Sequence, residues 1–174
     1  MVFAESRHLI QIVGGVGSGC RRIAFHFVSP AKQVIWMSPR WDLYAPTLWQ
    51  LAEDYHINEL IGLECSKRSQ WRDIFREILQ SKAVDAIVLD RLNLRSAEGF
   101  FLQKLSRSST TKVLVIDSQP HSFCTKRLHL SLSHQSFRFF WSKGGPPTPS
   151  HLPFTFFQEI DRLYSYLGGQ ACTL

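Results

Sequence analysis

LIQIVGGVGSGCRRIAFHF, Leu9 to Phe27, runs from a short apolar segment into a glycine-rich loop and out into residues at helical spacing (Ile23, Ala24 and Phe27). It predicts a strand, a tight loop and a helix, the setting in which the motif G-x-x-x-x-G-K-[ST] cradles phosphates. Gly14 and Gly19 have the spacing of its two fixed glycines, with Gly15 and Gly17 between them. The chemistry is missing. The motif needs a lysine to reach the β- and γ-phosphates and a hydroxyl to hold magnesium. Cys20 occupies the lysine place and Arg21 the hydroxyl place. Losing the lysine removes a charge-assisted contact of about 1.5–3 kcal/mol to phosphate. Cys20 is too short to replace it, and Arg21 sets a positive charge near the usual metal position. The expectation is a loop that keeps its contour for structural reasons and does not hydrolyse, with Arg21 or Arg22 left to reach an anion.

Further along, Val34–Met37 reads as a second buried strand. Pro46 suits the first turn of a helix whose face carries Leu48, Leu51, Ala52 and Tyr55, and Leu60–Leu63 reads as a strand. After Ser69, an N-cap residue, Trp71, Ile74, Phe75, Ile78 and Leu79 form an amphipathic stripe. Val84–Asp90 is a buried strand ending in a carboxylate. Ser96–Leu105 is a helix facing the core with Ala97, Phe101, Leu102 and Leu105, and Lys112–Asp117 is the next strand. Strands alternating with helices, each strand a continuous apolar run, predict an α/β fold with a mostly parallel sheet flanked by helices on both faces. Leu128, Leu130 and Leu132 then alternate with polar residues, as do Phe137, Phe139 and Trp141 with their neighbours, predicting a C-terminal antiparallel hairpin at the sheet edge. The expected division is an α/β core over 1–143, a Gly/Pro-rich linker over 144–155, and a helix and tail over 156–174. Phe156, Phe157, Ile160, Leu163, Tyr164 and Leu167 exceed what one buried stripe needs and mark that helix as a candidate partner surface or a helix docked on its own sheet.

The 174 residues are 44% hydrophobic and 20% charged, ordinary for one soluble domain. No run approaches the roughly 20 apolar residues of a membrane span. Glu5, Arg7 and His8 stand close to the first strand without a signal pattern, and four scattered cysteines suit a reducing compartment, so the cytoplasm is expected. A formal charge of +6 allows contact with nucleic acid or an acidic partner. Phe123 beside Lys126 and Arg127 offers a base-stacking site, and Arg138 and Lys143 extend it as a candidate DNA or partner contact. Scattered solvated charge explains the same residues. Asp90 stands where an active enzyme keeps its metal-orienting carboxylate; without partner chemistry, the favoured reading is a loop cap or a pair with Arg91. Cys20 has no histidine in a recognisable relation and reads as a small buried residue. The seven histidines show no metal-ligand spacing, so neither metal nor cofactor is expected.

The order strand, glycine loop, helix, VDAIVLD, KVLVIDSQ and terminal antiparallel ribbon resembles the RecA recombinase core. VDAIVLD is similar to that family's second nucleotide motif. Gln119 falls where RecA proteins carry a nucleotide-sensing glutamine, whereas Pro39 falls where they carry the catalytic glutamate. Within the superfamily, VIWMSPRWDLYAPTLWQLAEDYHINELI (34–61) resembles the W-x-x-P…YAP segment of the ATPase-dead ImuA and SulA relatives. WSKGGPPTPSHLP (141–153) is similar to a segment of ImuA proteins. The resemblance covers about residues 7 to 155. It implies a pseudo-ATPase acting by protein contact in the bacterial SOS response, as an accessory subunit of translesion synthesis and induced mutagenesis that binds RecA and a Y-family polymerase-like partner. The alternatives are a SulA-like division inhibitor that binds FtsZ, and a residual nucleotide-binding or single-stranded DNA-binding module.

Overall fold

Leu9–Val13 forms β1, and its five residues are all buried because neighbours lie on both sides and helices on both faces. In this computed structural model, residues 9–15, 18–29, 31–40, 45–67, 70–133 and 136–144 are described. Helix α1 (Cys20–Val28) leaves the glycine loop, followed by β2 (Gln33–Ser38), α2 (Ala45–Asp54), β3 (Glu59–Glu64), α3 (Gln70–Ser81), β4 (Ala86–Asp90), α4 (Ser96–Arg107), β5 (Lys112–Asp117), β6 (Lys126–Ser133) and β7 (Ser136–Lys143). They build one seven-stranded sheet in the order β3-β2-β4-β5-β1-β6-β7, parallel throughout except for the β6–β7 ribbon. This is the expected α/β architecture with its antiparallel hairpin at one edge.

Strand alternation divides the core. Ile12, Val34, Trp36, Val88, Leu114 and Ile116 face α1 and α2, where Trp36 stacks on Phe25 at 5.0 Å. Leu9, Ile35, Met37, Ile87, Leu89 and Val115 face α3 and α4, meeting Trp71, Phe75 and Leu102. Buried on both sides, these strands read as unbroken apolar runs. Edge strand β3 is only half covered, and Ile61 is exposed.

Two sequence readings shift. Strand β4 begins at Ala86 because the Asp85 carboxylate turns to accept from the amides of Lys32 (2.7 Å) and Gln33 (3.0 Å). Helix α4 does not bury Ala97. Glu98, Gly99, Leu102 and Ser106 are covered, with Phe101 and Leu105 half-buried. Glu98 is inside because its Oε2 accepts from the Arg95 amide at 2.7 Å, the glutamate half of a capping box. The Ser69 cap and the helix with Phe156, Phe157, Ile160, Leu163, Tyr164 and Leu167 lie outside the described residues, as does most of the 144–155 linker.

Since the first six strands are parallel, their carboxyl ends share one edge. Register sets Ser38 opposite Glu64, Asp90 opposite Ile116, and Val13 opposite Asp117. The glycine loop, Asp90 and Gln119 therefore meet where open α/β sheets bind ligands.

Candidate functional site

The described ends of the glycine loop, Gly14–Gly15 and Ser18–Gly19, pack closely against each other. The Gly14 amide donates to the Asp117 carbonyl at 3.1 Å. A Cβ on Gly14 would stand 2.5 Å from both Cys20 Sγ and Ser18 Oγ, so only glycine fits there. Gly19, at φ 77°, takes the left-handed turn that opens α1. A Cβ on Gly15 would meet nothing within 4 Å, and Gly17 lies outside the described residues. The two ends of the loop are thus held together by packing among Gly14, Ser18 and Cys20.

Cys20 turns inward. It is buried in the cluster of Ile12, Ile116 and Leu130, its Sγ is 3.0 Å from Ser18 Oγ, and burial pushes its thiol pKa up. This agrees with a small buried residue and sets no cation where the motif's lysine would stand.

Arg21 projects to the strand behind. Its Nε donates to Asp90 Oδ2 at 2.8 Å, and the Trp36 indole N–H donates to the same oxygen at 3.1 Å. Asp90 has no exposed surface. The expected pair with Arg91 is present only as a long ion pair, and the hydrogen-bonded partners of Asp90 are Arg21 and Trp36. Arg91 Nε stays 4.0 Å from Asp90 Oδ1, because the chain turns at Arg91 with φ 54° while its amide is fixed to the Ile116 carbonyl. A magnesium ion at this carboxylate needs an oxygen-rich shell and a hydroxyl from the loop. A guanidinium in hydrogen-bond contact takes that place, so the residues present do not fit the metal.

A second network, unannounced in the sequence, lies across β1, β5 and β6. Gln11 is fully buried within an apolar strand. Its Nε2 donates to the Gln119 carbonyl at 2.7 Å, while its Oε1 accepts from the His121 amide (2.8 Å) and Arg127 Nε (3.2 Å). Arg127 also donates to the His121 carbonyl, and His121 Nε2 is 2.7 Å from Asp117 Oδ2. Gln119 thus joins the network through its backbone, and its side chain is exposed. The one available signal was an amide inside LIQIV, since a polar group on a strand buried on both faces needs partners.

This network overturns the base-stacking reading. Phe123 is 3% exposed; its ring stacks on His121 at 4.9 Å and covers Gly99 of α4. Arg127 is held inward by Gln11. Lys126 is half-buried, Lys143 is exposed with its Nζ donating to the Ser122 carbonyl at 2.9 Å, and the Arg138 side chain lies outside the described residues. The loop 118–125 covers the face that the alternating pattern of β6 left unassigned.

Burial alone would raise the Asp117 pKa, but the His121 hydrogen bond, the Ser118 and Gln119 amides and the His121 charge outweigh it and hold the carboxyl below its ordinary 3.8. A carboxylate lowered in the folded state stabilises above its unfolded pKa, and that stability is lost as pH falls through the folded value. Urea midpoints measured across an acid series should therefore drop below about pH 4. Asp117→Asn should be less stable than wild type near neutrality and should show a shallower acid loss.

Among the described residues no group of three or more His, Cys, Asp or Glu gathers as metal ligands, and no helix is long and apolar enough to cross a membrane. The chain matches no protein-family model and no curated protein.

Proposed function

We propose that this chain is a catalytically inactive RecA-like protein that works by protein contact in the bacterial DNA-damage response. In this reading it is a cytoplasmic accessory subunit of translesion synthesis and induced mutagenesis, binding RecA and a Y-family polymerase-like subunit. One observation carries the inactive half: the Arg21 guanidinium sits on buried Asp90, where a working site would seat its metal. The glycine spacing and strand-end carboxylate persist, while the places of the groups that act on a nucleotide hold an inward thiol and a neutralised ion pair. Support for the contact half is the resemblance of residues 34–61 and 141–153, together with large apolar side chains left outside the core. Trp49 on α2 is 60% exposed and Phe100 on α4 62%. Single apolar residues are normal on a surface, but aromatic ones anchor interfaces more than most.

The test is the set of proteins retained by the tagged chain from damaged and undamaged cells. Retention of RecA or the polymerase-like subunit is expected, with gene deletion lowering damage-induced mutation at unchanged cell length. Filamentous cells on overproduction and suppressed FtsZ GTPase activity would instead select the division-inhibitor reading. Of the residues offered to single-stranded DNA, Phe123 is buried and Arg127 is hydrogen-bonded to Gln11, while Lys126 is half-buried and Lys143 exposed.

A further inference from the structure

A cleft of about 470 Å³ opens beside the Arg21–Asp90 pair at the carboxyl ends of β2, β3 and β4, walled by Arg21, Ser38, Pro39, Arg40, Glu64 and Arg91. Behind it Asp90 holds the Arg21 guanidinium and the Trp36 indole, and in its wall Ser38 Oγ donates to the Arg40 carbonyl at 2.8 Å. Two observations single out Arg91 in the wall of the cleft. Arg91 holds φ 54°, a region uncommon for residues with a side chain. Its Nε faces Asp90 Oδ1 at 4.0 Å, an ion pair too long for a hydrogen bond, so neither buried atom has a hydrogen-bond partner although groups of this kind nearly always do. Arg40 is exposed and makes no ion pair among the described residues.

The charge balance selects the ligand. Among the described residues, the three guanidinium groups of the wall are set against Glu64 in the same wall and the buried Asp90 behind Arg21, a single positive excess. That suits a monoanion. A phosphate carrying about two charges at neutral pH would meet the Glu64 carboxylate with a net negative site and no lysine. A guanidinium presents parallel N–H donors that match a planar carboxylate. We propose that this cleft takes a carboxylate side chain from an acidic segment of a protein partner, with Arg40 and Arg91 as its forks. The inference rests on reading the chain as a partner-binding protein and names the chemistry of one such contact.

Fluorescein-labelled oligoglutamate, titrated by anisotropy against the full chain, should bind saturably, and oligoglutamine should not. Arg40→Ala and Arg91→Gly should each weaken binding by about tenfold or more. Glycine accepts the backbone conformation of position 91, so that variant keeps the fold, which circular dichroism would verify. Lys112→Ala removes the same charge at the opposite edge of the sheet, where β5 begins, and should leave the affinity unchanged. An absent isotherm, an equal loss in Lys112→Ala, or displacement of the peptide at lower concentration by inorganic phosphate or a single-stranded oligonucleotide would overturn the assignment. A flat titration with RecA still retained by the tagged chain would remove the cleft proposal alone. Saturable oligoglutamate binding with no RecA or polymerase-like protein retained would remove the accessory reading alone.

Discussion

Arg21→Ala should lower the unfolding free energy by about 3 kcal/mol, near the bottom of the range for breaking a buried ion pair. An exposed pair would contribute under about 1 kcal/mol, and the two cases are separated by burial. Asp90 is fully enclosed whereas the Arg21 side chain is 29% exposed. Taking away the arginine strands a carboxylate with one indole donor, partly offset by Arg91 at 4.0 Å. Removing the carboxylate instead leaves a cation that can turn to water. Asp90→Asn, which can still accept from Trp36, should therefore cost only about 1 kcal/mol. In the Arg21→Ala background it should restore more than half of the loss. Urea unfolding of the four proteins checks this cycle; equal and additive single effects would mean that the pair is not coupled as drawn.

Gly99→Ala should go against the usual rule for helices. In a helix interior, alanine ordinarily stabilises by about 1 kcal/mol relative to glycine. Here an added Cβ would lie 1.8 Å from Phe123 Cδ1 and 2.2 Å from its Cγ. The ring is pinned between α4 and His121, so the substitution should destabilise by about 2 kcal/mol through overpacking. Phe123→Ala should cost about 3–4 kcal/mol, the range for emptying an aromatic site in a core. Combined with Phe123→Ala, the alanine at position 99 should become neutral or stabilising. Thermal and denaturant unfolding of the single and double variants gives the coupling, whose sign depends on the ring covering Gly99.

What could be read from the chain and what could not divide along a physical line. Strands β1, β2, β4 and β5 were legible because each is a nearly continuous apolar run, and an amphipathic stripe announced α3. Those signals are local. The partner of Asp90 was not local: its neighbour in sequence is Arg91, but α1 begins at the edge where β4 ends, and that sets Arg21, 69 residues away, against the carboxylate. The inward turn of Phe123 and Arg127 was equally hidden, because alternation in β6 tells which residues share a face and not which face a loop covers. Ala97 misled for a related reason. A small apolar residue fits either side of α4, and the actual face was set by the glycine that admits Phe123 and the glutamate that caps the helix. Gln11 carried a real signal, one polar residue in a run of buried apolar ones, and its partners lie 108 to 116 residues away.

Calorimetric titration of the unmodified chain with Mg-ATP, with phosphate release followed in the same samples, tests most directly whether the loop is a contour without chemistry. The structure, with Cys20 turned into the core and Arg21 seated on Asp90, predicts no saturable heat and no phosphate released. Tight binding accompanied by turnover would contradict it.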